Sequence, residues 1–121
     1  MRKRDENYFA GSRDGFTYND VVKAIADSGF VLEITEVVSG GARGVDRFGE
    51  MWAKYNEVPV KQFIPDWDGL GKKAGHVRNR EMGDYSDALI ALWDGKSKGT
   101  AGMIEYAQKK GLKVFVYRKD L

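Results

Sequence analysis

The chain has 121 residues, with 20 Lys and Arg against 18 Asp and Glu and a formal net charge of +2. That length suits one domain, and 42% hydrophobic residues can bury a core, which excludes wholesale disorder. With no cysteine and a single histidine, His76, the sequence excludes disulfide scaffolds, thiolate nucleophiles, cysteine-held metals and histidine-rich sites, though not every carboxylate site; no metal or cofactor is assigned.

The charged start Met1-Arg2-Lys3-Arg4-Asp5-Glu6 has no apolar stretch behind it, so no secretory signal is expected and residues 1–6 read as a frayed terminus. No apolar run approaches the roughly 20 residues of a membrane span; the expectation is a soluble cytoplasmic chain without a membrane partner. Residues 7–10 form a short extended run ending in Gly11-Ser12-Arg13-Asp14-Gly15. Over 17–28, Val21, Val22, Ile25 and Ala26 recur at helical spacing, with Thr17 or Asn19 as cap and Gly29 as stop. Residues 30–38 are rich in β-branched side chains and predict a strand, and Ser39-Gly40-Gly41-Ala42-Arg43-Gly44 follows at once. Val45, Phe48, Trp52 and Tyr55 share one stripe of a helix over 45–55, and 58–64 predicts a third strand with Pro59 at its start. A glycine-rich loop, 65–75, precedes a helix over 76–86. The wholly apolar 88–92 predicts a fourth strand, 93–99 a loop, 100–110 a helix capped by Thr100, and 113–117 a fifth strand.

Strand and helix alternate throughout. Such alternation gives an α/β fold, a single-domain Rossmann-like three-layer sandwich whose five-stranded parallel sheet is covered by helices on both faces. Right-handed crossovers lead to the strand order 3-2-1-4-5, with the direction of winding reversing between strands 1 and 4. Ligands of such sheets bind beyond the C-terminal strand ends, near that reversal. Glycine makes up 15 of the 121 residues, above the usual share of about 7%, and its clusters fall on the loops at that edge.

Gly40-Gly41-Ala42-Arg43-Gly44 opens a helix, where bare backbone and the helix N-terminus suit an anion and Arg43 can fork onto a phosphate. A tight turn with Asp46 as its capping acid explains the same residues equally well. Gly95-Lys96-Ser97-Lys98-Gly99-Thr100 also leads into a helix but lacks the spacing of a Walker-type phosphate loop. Trp67 and Trp93 lie in or beside the edge loops, where an indole can stack on a base, whereas Trp52 reads as core.

At these motifs the sequence resembles the SLOG superfamily of Rossmann-like domains, and within it the YspA-type, YpsA-related branch. The resemblance rests on Ala10-Gly11-Ser12-Arg13, on Ser39 through Asp46, on Ala74-Gly75-His76-Val77-Arg78-Asn79-Arg80-Glu81-Met82 and on Gly95 through Thr100, so it runs through nearly the whole chain. Lonely Guy-type phosphoribohydrolases, which release the base from a nucleoside 5′-monophosphate, have a helix start matched here by His76, Arg78 and Met82, with Asn79 replacing their lysine. Gly99-Thr100 matches their second motif. Met103 stands where their glutamate would be, and Glu105 comes two positions later. DNA-processing protein DprA shares the stretch matched by Ser39 through Asp46, and its domain binds single-stranded DNA.

The resemblance implies a domain that holds a nucleotide or nucleotide derivative at the sheet edge, as a sensor or processing module. The implied ligand and phosphate contacts are Gly11, Ser12, Arg13, Gly40, Gly41, Ala42, Arg43, Gly44, Asp46, Arg78, Asn79, Gly95, Ser97, Gly99 and Thr100. A first alternative is an N-glycosidase acting on nucleotides, with Glu105 or Glu81 as catalytic carboxylate and Asp94 and Asp46 as further candidates. A second is a module for single-stranded nucleic acid, placed lower because a charge of +2 is no strong basic patch. A homodimer is a further expectation from the superfamily.

Overall fold

The structure, a computed structural model, describes residues 5–11, 15–30, 34–42 and 44–120. Among these residues, β1 (Asp5–Gly11), β2 (Ile34–Ser39), β3 (Val60–Gln62), β4 (Ala88–Trp93) and β5 (Lys113–Arg118) form one sheet in the order β3-β2-β1-β4-β5, with every neighbouring pair parallel. This is the order expected from the alternation of elements. The helices are α1 (Tyr18–Ser28), α2 (Val45–Tyr55), α3 (Trp67–Leu70), α4 (Ala74–Tyr85) and α5 (Lys98–Lys109).

The period of two in the strands sorts their side chains between two cores. Val37, Ile90 and Leu92 face one side, where Val21 and Ile25 of α1 and Val45, Trp52 and Ala53 of α2 complete a buried cluster. Val38, Leu89 and Ala91 face the other, against Met82 of α4 and Ala107 of α5. β4, between β1 and β5, is apolar on both faces because helices cover both. At α1, the Thr17 hydroxyl accepts from the Asp20 N–H at 3.1 Å and the Asp20 carboxylate accepts from the Thr17 N–H at 2.9 Å, a closed capping box.

Several boundaries differ from the sequence expectation. Asp5 and Glu6, expected in a frayed terminus, are paired with Ile34 and Glu36 across β1 and β2, whereas residues 1–4 lie outside the described residues. β3 is shorter than 58–64 because the Val58 N–H is taken by the carbonyl of Ala53 at the end of α2, 2.8 Å away. The expected loop 65–75 contains α3 and a 3₁₀ turn, Gly71–Lys73. The Asp66 carboxylate caps α3 by accepting from the Gly69 N–H at 2.9 Å. α4 accordingly starts at Ala74 rather than at residue 76. α5 starts at Lys98, two residues before the expected start, because Ser97, not Thr100, is its cap: the Ser97 hydroxyl accepts from the Thr100 N–H. Among the described residues no helix is long and apolar enough to cross a membrane.

Candidate functional site

Every strand is parallel, so α1, α2, α4 and α5 all begin at the edge where β-strands end. Their N-terminal N–H groups lend that edge positive partial charge. β1 and β4 lie side by side there, with α1 packed on one face of the sheet and α5 on the other, the arrangement beside which ligands of such sheets bind.

The loop after β2 is held from beneath. Ser39, buried at the end of β2, donates its hydroxyl to Glu50 Oε2 at 2.6 Å and accepts from the Gly41 N–H at 3.0 Å. Gln62 Nε2 donates to the same Glu50 oxygen at 2.9 Å. Asp46, one helical turn before Glu50 on α2, accepts from the Ala42 N–H at 3.2 Å. Asp46 directly, and Glu50 through the Ser39 hydroxyl, thus hold the amides of Ala42 and Gly41 inward. The path requires left-handed backbone at Gly41 (φ 73°) and Gly44 (φ 82°), which glycine adopts without strain. Positive character facing outward then comes from the first turn of α2 and from Arg78.

Arg78 reaches this loop from α4. Its Nη1 donates to the Gly40 carbonyl at 2.7 Å and its Nε to the side-chain oxygen of Asn79 at 2.9 Å. The guanidinium lies against Gly40 in the space that a side-chain methyl would fill. Asp46 sits beside it. Burial pushes the Asp46 carboxyl up to about 6, with the Ala42 N–H and the charge of Arg78 pulling the other way and Glu50 adding to the rise.

The sign of this shift gives a prediction. A carboxyl that holds its proton more tightly folded than unfolded stabilises the fold below its unfolded value, and that contribution is lost as pH rises through the folded value. From about pH 5 to about pH 7.5, wild type is expected to lose on the order of 1 kcal/mol relative to Asp46→Asn. Urea unfolding of both proteins at the two pH values measures this; a constant difference would show that the carboxyl is not destabilised by folding.

The loop after β4 is closed by its own side chains. Asp94 Oδ1 accepts from the N–H groups of Lys96 and Ser97, both at 2.8 Å, and these bonds hold its carboxyl below the usual range. Trp93 donates its indole N–H to the Ser97 carbonyl at 3.1 Å, and Arg118 lies over its ring. These contacts pack Trp93 into the loop rather than leaving its face open for stacking. Thr100 is buried, with its hydroxyl 3.3 Å from that of Ser97. Between α4 and α5 runs a cleft of about 280 Å³. Its lining includes His76, Asn79 and Arg80 from α4 and Lys98, Gly99, Met103 and Glu105 from α5. Asn79 therefore joins the two parts of the site: its side chain holds Arg78 and it borders the cleft.

Residues 9–69, half of the chain, match the YspA, cpYpsA-related SLOG family. The chain belongs to this family. The Gene 61 protein of Mycobacterium phage D29 is 40% identical over 85 residues, which cover 64% of this chain and 67% of the phage protein. The crystal structure of DNA processing protein A (DprA) from Streptococcus pneumoniae superposes with a TM-score of 0.74 at 22% identity. That likeness is one of fold; it covers 93% of this chain but half of the DprA chain.

Within this SLOG domain the structure brings together Gly40, Gly41, Ala42, Asp46, Arg78 and Asn79. Gly11 lies at the end of β1 against Val45, the first residue of α2 after Gly44. Gly95, Ser97 and Thr100 shape the neighbouring loop, and Gly99 borders the cleft. Ser12, Arg13 and Arg43 lie outside the described residues. Glu105 lines the cleft, but its side chain is 68% exposed and pairs with Lys109 at 3.3 Å. Glu81 is exposed and does not line the cleft. Sequence reasoning did not single out Glu50 or Gln62. The spacing of Asp46 and Glu50, four residues apart at the start of a helix that follows a glycine loop, was the available signal.

Proposed function

We propose that this SLOG domain binds a nucleotide or nucleotide-derived ligand at the C-terminal edge of its sheet. The observation that carries the reading is Arg78, which crosses from α4 to the Gly40 carbonyl and seats a guanidinium on the loop after β2, beside Asp46 in the first turn of α2. A phosphate meets there the positive charge of Arg78 and a helix N-terminus, two groups suited to an anion. The Ser39–Glu50–Gln62 and Asp46 contacts hold the loop in place before any ligand arrives, which lowers the ordering cost of binding. From Arg78, Asn79 leads to the cleft between α4 and α5, which is open to the sugar.

A thermal-shift panel of AMP, GMP, CMP, cyclic nucleotides, NAD, ADP-ribose and short oligonucleotides tests this. A ligand present at about 100 times its Kd stabilises by roughly 2.7 kcal/mol, on the order of 10 °C for a domain this size. A shift with a mononucleotide class supports the reading. Shifts confined to oligonucleotides, growing with length and falling steeply with salt, would assign the site to single-stranded nucleic acid instead.

One observation favours a second reading, N-glycosidase activity: Glu105, although displaced from the relatives' register, lines the same cleft as Asn79 and Gly99. On this reading water replaces the base at the sugar carbon, the base departs with a proton, and Glu105 handles that proton transfer. Free base then accumulates from a nucleoside 5′-monophosphate, and Glu105→Gln stops its release. No base from AMP, GMP or CMP would leave the domain a binding module.

A further inference from the structure

The three tryptophans have different fates. Trp52 is buried in the core beneath α2. Trp93 is engaged at both ends, by its N–H bond to Ser97 and by Arg118 over its ring. Trp67 is 55% exposed although it lies beside the site. The tip of its indole approaches Gly75 in the first turn of α4, about 3.7 Å from where a side chain would begin. Gly75 lies one helical turn before Arg78 and Asn79, so the ring and the guanidinium share one side of that helix start.

Ile64 completes the arrangement. It is 67% exposed, and its Cδ1 lies 3.7 Å from the position that a Cβ on Gly41 would occupy. An aliphatic side chain therefore covers the glycine next to the one that holds Arg78. Exposed apolar side chains scattered singly need no explanation. Here an exposed indole lies against Gly75, one turn before Arg78, and an exposed isoleucine lies against Gly41, next to the Gly40 carbonyl on which Arg78 is seated. Apolar surface next to a fixed cation fits a ligand that is flat and apolar at one end and anionic at the other.

We propose that Trp67, with Ile64, is the stacking platform for an aromatic ring carried by the ligand, so that the site selects nucleotides over ring-free sugar phosphates. This rests on the anion-binding reading of Arg78 and adds a ring requirement to it. Stacking on an aromatic side chain tolerates every base, because each presents a π face. The platform therefore sets the ligand class rather than the identity of the base.

The test is titration calorimetry with AMP, GMP and CMP as ring-bearing probes and ribose 5-phosphate as the ring-free one. It uses the full chain and its Trp67→Ala, Trp67→Phe and Ile64→Ala variants. Trp67→Ala is expected to weaken the best-bound nucleotide about tenfold, with Trp67→Phe retaining most of the affinity. Ribose 5-phosphate is expected to bind all variants alike and more weakly than the nucleotide binds wild type. Equal weakening of both probes by Trp67→Ala would assign Trp67 a structural role and overturn the platform. Unchanged nucleotide affinity would overturn it too, and a loss of self-association in the same variant would assign the surface to a second copy of the chain. In either case an effect of Arg78→Ala on both probes would leave the anion site standing. If wild type binds neither probe, the underlying reading fails and the platform with it.

Discussion

Gly11→Ala is expected to destabilise the fold by about 2–3 kcal/mol, the upper part of the range for overpacking, which lowers Tm by on the order of 10 °C. Gly11 ends β1, opposite Leu92 of β4. A Cβ built there falls 2.5 Å from Val45 Cγ2 and 3.1 Å from the Leu92 carbonyl oxygen. Neither neighbour can yield easily. Val45 is fully buried, and a β-branched side chain in a helix has one strongly preferred rotamer. The Leu92 carbonyl belongs to the sheet between β1 and β5. The collision is thus with the first turn of α2, the part of the helix that carries the Gly44 entry and Asp46. Val45→Ala removes the colliding Cγ2 but keeps the Cβ, 2.9 Å from the new methyl, and has its own cost as a core truncation. Gly11→Ala and Val45→Ala together should therefore cost less than the sum of the two, by about 1 kcal/mol or more. Urea unfolding of the four proteins measures this coupling. Strict additivity would show that α2 shifts as a body and that its closeness to β1 is not fixed by this contact.

The close approach of β1 to α2 is one of the things the sequence could not display. Alternating strand and helix patterns show in the sequence because each element repeats one period long enough to be recognised. The wholly apolar 88–92 is an example: it can only be a strand buried on both faces, and β4 is one. α3 was hidden because four residues carry no periodicity; it exists through one cap, Asp66 on Gly69. The site edge was visible as glycine clusters, yet what the glycines do there was not. The loop 40–44 read equally as an anion cradle or as a turn with a capping acid, and the turn geometry is present, with Asp46 and Ser39 holding its amides. The cation at that loop comes from Arg78, 38 residues further along the chain, and no local pattern encodes such a contact. Trp67 and Trp93 looked alike in sequence. Arg118 and the Ser97 carbonyl, both brought to Trp93 by the fold, make the difference between them.

Gly40→Ala and Arg78→Ala are expected to weaken ligand binding by different routes, and the contrast between them tests how the site is built. In Gly40→Ala, the new methyl falls where the Arg78 guanidinium now lies, and about 3.0 Å from Asp46 Oδ2. Gly40 needs no left-handed backbone, so no strain arises from the residue itself. The group displaced is the far end of a flexible side chain, which swings away at a cost of about 1 kcal/mol or less. The fold should survive with a small change in Tm, while the guanidinium loses its seat on the Gly40 carbonyl and leaves the loop after β2. Arg78→Ala removes the cation outright and should weaken a phosphate-bearing ligand by about 2–3 kcal/mol, roughly 30- to 150-fold. Arg78→Lys keeps the charge without the planar fork and should recover only part of that loss. If Gly40→Ala matches Arg78→Ala in affinity while unfolding near the wild-type midpoint, glycine stands at position 40 to admit the arginine. If Gly40→Ala binds as wild type does, Arg78 can reach the ligand from another seat, and the bond to the Gly40 carbonyl serves the fold rather than the site.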